Sequence, residues 1–191
     1  MQESQVTIDG ETYPLERPFI VLATQNPIEY EGTYPLPEAQ LDRFLLMLSV
    51  PLPERDAEFG VLARHMAGFD PRDLAAAGVH PVATADDLAR AREAVTTVAV
   101  SPEVTAYVVD LVRATRTSPS AQLGVSPRGA IALLRTARAW AWLAGRDYVT
   151  PDDVKQLVPL TLAHRLMVKP ESQLRGRTAA LVLAEIVERT P

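Results

Sequence analysis

The spacing of apolar positions along this 191-residue chain changes near residue 53, and that change separates two kinds of predicted element. Ahead of it, Val6 and Ile8 alternate with polar residues, Asp9-Gly10 is a tight-turn signal and residues 12–15 return, which predicts a β-hairpin over residues 4–15. The runs at 18–24 (PFIVLAT) and 44–50 (FLLMLSV) are apolar almost throughout and do not alternate. Such runs fit strands buried on both faces of a parallel sheet. Between them, residues 37–42 predict a short helix.

Beyond residue 53 the period becomes helical, with helices expected near 53–67, 86–98, 102–117, 127–144, 151–167 and 174–189. Three of them share a start signal. Ser101-Pro102, Ser126-Pro127 and Thr150-Pro151 each place a capping hydroxyl before a proline at the first helical position. Thr84 with Asp87 reads as a capping box that uses aspartate, and Gly145 suits a helix C-cap. Leu133, Leu134, Ala137, Trp140, Ala141 and Ala144 mark the apolar side of the fourth helix. Residues 68–83 read as a loop or linker. The fold class is therefore mainly α with a truncated α/β part: a hairpin and two parallel-sheet strands, then helices. Two strands and a hairpin are too little to cover each other, so this part is expected to be poorly stable on its own.

Composition narrows the chemistry. An apolar content of 47% is ample for a core. There are no cysteines, which removes disulfides and thiolate chemistry, and the three scattered histidines offer no metal cluster. A net charge of −5 without a basic block disfavours nucleic acid as a partner. No apolar run approaches a membrane span and the first residues do not read as a signal peptide, so a cytoplasmic protein is expected. Lysine occurs only at 155 and 169, each preceded by valine, so no G-x-x-x-x-G-K-[ST] phosphate loop exists in the chain.

Four polar side chains stand out as candidates. Asn26 follows the apolar run 18–24, at the strand end where open α/β sheets gather ligands; it can orient a water or touch a phosphate oxygen, although Asn-Pro is also a turn signal and local sequence favours the turn. Arg43 stands at a corner between the short helix and the run 44–50. It can reach a phosphate on a neighbouring subunit, or simply pair with Asp42 or Glu38 in solvent, which the local sequence favours. Arg128 breaks a rule: the other two Ser/Thr-Pro helices carry Glu103 and Asp152 in the first turn, and this one carries an arginine against the helix dipole. It would make an anion site with the helix N–H groups, or be a tolerated exposed arginine. Arg135 follows two turns on along nearly the same face, flanked by Arg138.

The stretch Ala23-Thr24-Gln25-Asn26-Pro27 with Glu29-Tyr30-Glu31-Gly32-Thr33-Tyr34-Pro35-Leu36-Pro37-Glu38-Ala39-Gln40-Leu41-Asp42-Arg43-Phe44 closely resembles the MoxR family of AAA+ ATPases. The likeness continues through Val6-Thr7-Ile8-Asp9-Gly10 and Ser126-Pro127-Arg128-Gly129-Ala130. By resemblance, Asn26 is similar to the sensor 1 residue, Arg43 to the arginine finger acting on the neighbouring protomer, and Arg128 to the sensor 2 arginine of the lid. Arg135, read from its place on the helix face of Arg128 and not from the resemblance, is expected as a further phosphate contact. The resemblance divides the chain into a remnant of the AAA+ core at 1–67, a linker with pre-sensor 2 helices at 68–125, and a helical lid at 126–191. It implies ATP and Mg²⁺ as cofactors, both requiring a phosphate loop and an acidic strand that are absent here. It also implies a hexameric ring, chaperone-like remodelling of protein complexes, and a von Willebrand factor A domain protein as a partner. The isolated chain is expected to hydrolyse no ATP. The alternative is a non-catalytic helical interaction module derived from such an ATPase.

Overall fold

The computed structural model describes residues 5–16, 18–25 and 36–191. Asn26 and the Tyr30–Tyr34 stretch of the family signature, along with the rest of 26–35, lie outside the described residues. Strands β1 (Gln5–Ile8) and β2 (Glu11–Pro14) form the expected antiparallel hairpin, with Ile8 opposite Glu11. Its turn places both Asp9 (φ 52°) and Gly10 (φ 85°) in the left-handed region, the geometry that matches strand twist in a two-residue hairpin. A short helix, α1 (Glu38–Leu41), follows where expected.

The two parallel-sheet strands do not form. Residues 18–24 and 44–50 pair with no strand, and most of their apolar side chains face solvent, Phe44 and Leu46 being half-buried; Leu22 is 91% exposed and Val50 90%. A strand exists only through hydrogen bonds to a neighbour, and among the described residues none lies beside either run. Helix α2 (Arg55–Met66) has no buried residue, and neither does α3 (Ala85–Thr97), whose Thr84–Asp87 capping box is present as expected.

A packed core begins at Val98 and runs to Val187. It joins α4 (Pro102–Thr117), α5 (Pro127–Leu143), α6 (Pro151–Leu162) and α8 (Ala179–Arg189) around Leu111, Leu133, Leu162 and Leu183. The α5 face is Ala132, Leu133, Thr136, Ala137 and Ala141. Trp140 sits at its edge, 44% exposed, because an indole is rarely covered whole. Residues 98–100 cross beneath α5: Ala99 bridges to Tyr148, and Arg138 Nε donates to the Val98 carbonyl at 2.9 Å, so this flanking arginine is a structural anchor.

Helix α6 stops at Leu162, earlier than its period predicts. Residues Ala163–Arg165 tighten into a 3₁₀ turn, and β4 (Met167–Val168) then pairs antiparallel with β3 (Ala121–Leu123). A short helix, α7 (Pro170–Gln173), precedes α8. Tertiary pairing has overridden helical propensity here.

The start of α6 predicts an acid sensitivity. Thr150 Oγ1 accepts from the Asp153 N–H, Asp153 Oδ2 accepts from the Thr150 N–H at 2.8 Å, and Arg146 forks onto both carboxylate oxygens. Arg146 above all, with help from Thr150, holds the Asp153 carboxyl at about 2 against the opposing effect of burial. A depressed folded pKa means stability that is present above the ordinary value near 3.8 and lost as pH falls toward 2. That loss should amount to about 2 kcal/mol and be absent in Asp153→Asn. Denaturant unfolding measured between pH 5 and pH 2 checks it.

Candidate functional site

The lid and the corner that carries Arg43 meet at one buried guanidinium. Arg165, in the 3₁₀ turn after α6, has a side chain only 2% exposed. Its Nε donates to Asp42 Oδ1 at 2.9 Å. Nη2 donates to the carbonyls of Asp42 and Phe44, and Nη1 to those of Leu45 and Thr161. All five N–H donors of the fork therefore have acceptors. Met47 N–H extends the seam by donating to Leu160 O at 2.9 Å.

Two neighbours complete the cluster. Ser126, before α5, makes no side-chain cap; its Oγ instead donates to Asp42 Oδ2 at 3.4 Å. His164 Nε2 lies 2.8 Å from Arg165 Nη1 and 3.1 Å from Phe44 O. It can accept from the arginine or donate to the carbonyl, and either tautomer leaves Nδ1 buried without a partner among the described residues. Burial pushes the His164 pKa below its usual value, and Arg165 adds to that effect. Burial also lowers Arg165, opposed by Asp42 and assisted by the nearby charge of Arg128.

Two of the candidate arginines, Arg43 and Arg128, adjoin this cluster. Arg43 is exposed, and Asp42 pairs with Arg165, so the simple Arg43–Asp42 surface pair is not formed. Arg128 occupies the first turn of α5, exposed, with no acidic residue in that turn and close enough to Arg165 for their charges to interact. Arg135 is exposed further along α5. Asn26 lies outside the described residues. A groove of about 710 Å³ opens beside Asp42, Ser126 and Arg165, with Leu41, Leu123 and Leu166 on its walls.

Sequence reasoning missed Arg165, and it quoted Gly129 without giving it a role. A Cβ on Gly129 would lie 2.3 Å from Val125 Cγ1 and 3.1 Å from Arg165 Cδ, so the glycine makes room for the arginine's stem. One signal for Arg165 was present: a lone charge in the apolar run LVPLTLAHRLMV, which requires a partner distant in sequence.

These groups fit part of what a nucleoside triphosphate requires. Exposed guanidiniums near a helix N-terminus suit phosphate oxygens. The chain's two lysines lie in α6 and immediately before α7, and neither stands in a glycine-rich loop that would grip a nucleotide.

Comparison with known proteins bears on the family and the fold. The family described as ATPase family associated with various cellular activities (AAA) matches residues 1–46, and the AAA lid domain family matches residues 113–186. YeaC of Bacillus subtilis is 46% identical over 187 residues, covering 98% of this chain and 57% of that protein. Chaperone MoxR1 of Mycobacterium tuberculosis is 39% identical over 197 residues, covering 98% of this chain and 50% of its own length. A crystal structure from Cytophaga hutchinsonii, of a protein described only as a candidate ATPase, superposes with a TM-score of 0.88 at 36% identity. It covers all of this chain, which in turn covers 59% of it. The chain thus spans about half the length of the curated relatives it matches. With both family matches and two near-complete alignments converging on one architecture, the chain belongs to the MoxR-type AAA+ ATPases.

Proposed function

We propose that this chain supplies the phosphate-sensing and lid portion of a MoxR-type ATPase that couples ATP hydrolysis to remodelling of protein complexes. The observation that carries the reading is the exposed Arg43 beside Asp42, which is half-buried and paired with the buried, fully bonded Arg165. A corner held this firmly presents its one exposed guanidinium in a defined place, as an arginine acting on a neighbouring subunit's phosphate requires. Arg43 is the arginine finger, Arg128 the sensor 2 residue, Arg135 a further phosphate contact and Asn26 the sensor 1 residue. Residues 1–67 belong to the AAA+ core, 68–125 link it, and 126–191 form the lid.

An arginine that acts across a subunit boundary requires a ring of copies, for which a hexamer is the reading. A von Willebrand factor A domain protein is its proposed partner, in the cytoplasm. Mg²⁺, when bound with the nucleotide, would neutralise charge on the phosphate oxygens. This chain's own arginines orient and neutralise; they do not hold the nucleotide by themselves.

The test is an ATPase assay on the 191-residue chain beside the intact protein. The chain alone is expected to show no turnover above a blank, and the intact protein to hydrolyse ATP. Robust hydrolysis by the 191-residue chain overturns the reading.

A further inference from the structure

Asp42 is where the two candidate arginines are joined. Arg43 follows it directly in the chain, and Ser126, which donates to Asp42 Oδ2, stands two residues before Arg128. Arg165 takes the other carboxylate oxygen and also binds the carbonyls of Asp42, Phe44 and Leu45. The backbone on both sides of Arg43 is thereby gripped by a single lid side chain. Gly129, one residue after Arg128, is the gap through which that side chain passes.

Adhesion alone does not explain this arrangement. An apolar side chain would attach the turn after α6 to the corner without the cost of desolvating a guanidinium. A planar fork with fixed donor directions can do what an apolar contact cannot, which is to set the orientation of several successive carbonyls at once. Buried polar groups of this kind specify one geometry among many of similar energy.

We infer that Arg165 is a positioning residue: through Asp42 and the carbonyls of residues 42, 44 and 45 it fixes the Arg43 corner to the start of α5. Arg128 and Arg43 then move as one body, and any rotation of the lid changes where Arg43 points. This rests on the roles proposed above for Arg43 and Arg128. Its consequence is that a change at one nucleotide, felt by the lid through Arg128, is passed to the next site around the ring.

The test uses the intact ATPase with spin labels at Gln40→Cys in α1 and Gln156→Cys in α6, both exposed positions. Pulsed EPR distances are recorded without nucleotide, with ADP and with a non-hydrolysable ATP analogue. The parent protein is expected to give one narrow distance that nucleotide leaves unchanged. In Asp42→Asn and Arg165→Lys the distribution should broaden at least twofold, and kcat should fall at least tenfold with KM changed less than twofold. Should Arg165→Lys fail to fold, Asp42→Asn and Ser126→Ala, which alters only the second carboxylate oxygen's partner, decide the matter. A narrow distribution with kcat within twofold in these variants overturns the coupling, as does a parent distance that shifts with nucleotide. Arg43→Ala in the same protein separates the two possible failures. Turnover surviving that change defeats the role of Arg43 itself; turnover lost there but intact in the clamp variants defeats the coupling alone.

Discussion

Replacing Arg43 by alanine should lower the ATP turnover of the intact protein by about 10³-fold or more while nucleotide affinity changes less than about threefold. A tenfold change in rate corresponds to 1.36 kcal/mol of barrier, so the loss is about 4 kcal/mol of transition-state stabilisation. That much is reasonable for a guanidinium delivered in place, because the positioning has already been done by Arg165 and Asp42. Affinity is spared because an arginine from the neighbouring subunit contributes mainly where charge develops during transfer, and little to the ground state. Lysine should not restore the rate, since a point charge on a flexible stem cannot present two donors to two oxygens. Single-turnover rates set beside titration with a fluorescent nucleotide check both halves. A parallel fall in affinity and rate would mean that Arg43 serves the protomer's own nucleotide and not its neighbour's.

The parts of this molecule legible in its sequence are those decided by local chemistry. Hydroxyl-proline pairs start α4 and α6 because the hydroxyl takes an orphan N–H and proline has none to lose, and Ser101 and Thr150 do this. The Thr84–Asp87 box and the Asp9-Gly10 turn belong to the same class. Ser126 looked identical in sequence yet makes no cap, and its hydroxyl is turned instead toward Asp42, 84 residues away, to which it donates. The rule that Arg128 breaks thus belongs to a helix start already diverted toward the corner. Strand status is a different matter: an apolar run records what its environment buries, and residues 18–24 and 44–50 have no neighbouring strand to pair with among the described residues. Nor could periodicity separate α6 from the 3₁₀ turn and β4 that follow it, since residues 151–168 keep an apolar stripe throughout. Arg165 was the missed clue within that stripe, a charge whose partner lies more than 120 residues back.

Alanine placed at three glycines should change stability in three different ways, and the reasons lie in what each new methyl group would meet. At Gly124 a Cβ would stand 2.6 Å from the Cα and 2.7 Å from the N of Arg116. That is the backbone of the last turn of α4, which is also tied to the next residue by Arg116 Nε donating to Val125 O at 2.8 Å. Val125 N–H donates to Thr115 Oγ1 at 2.9 Å, so neither side of the crossing can yield cheaply. Gly124→Ala is therefore expected to cost the lid about 3 kcal/mol. At Gly129 the clash is with a methyl of fully buried Val125 and the stem of Arg165, and helix propensity returns about 1 kcal/mol of the cost. The net should be about 1 to 2 kcal/mol, with ATP turnover reduced as well because the strain falls on the clamp. At Gly60, inside exposed α2, nothing lies within 4 Å. There the same change should raise local helix stability by about 1 kcal/mol and leave the unfolding midpoint of the lid where it was. Denaturant midpoints for the lid, with hydrogen exchange across α2, read all three. A Gly124→Ala protein as stable as its parent would mean that the chain can cross α4 with more room than 2.6 Å allows, and the delivery of Ser126 and Arg128 to the corner would then need another explanation.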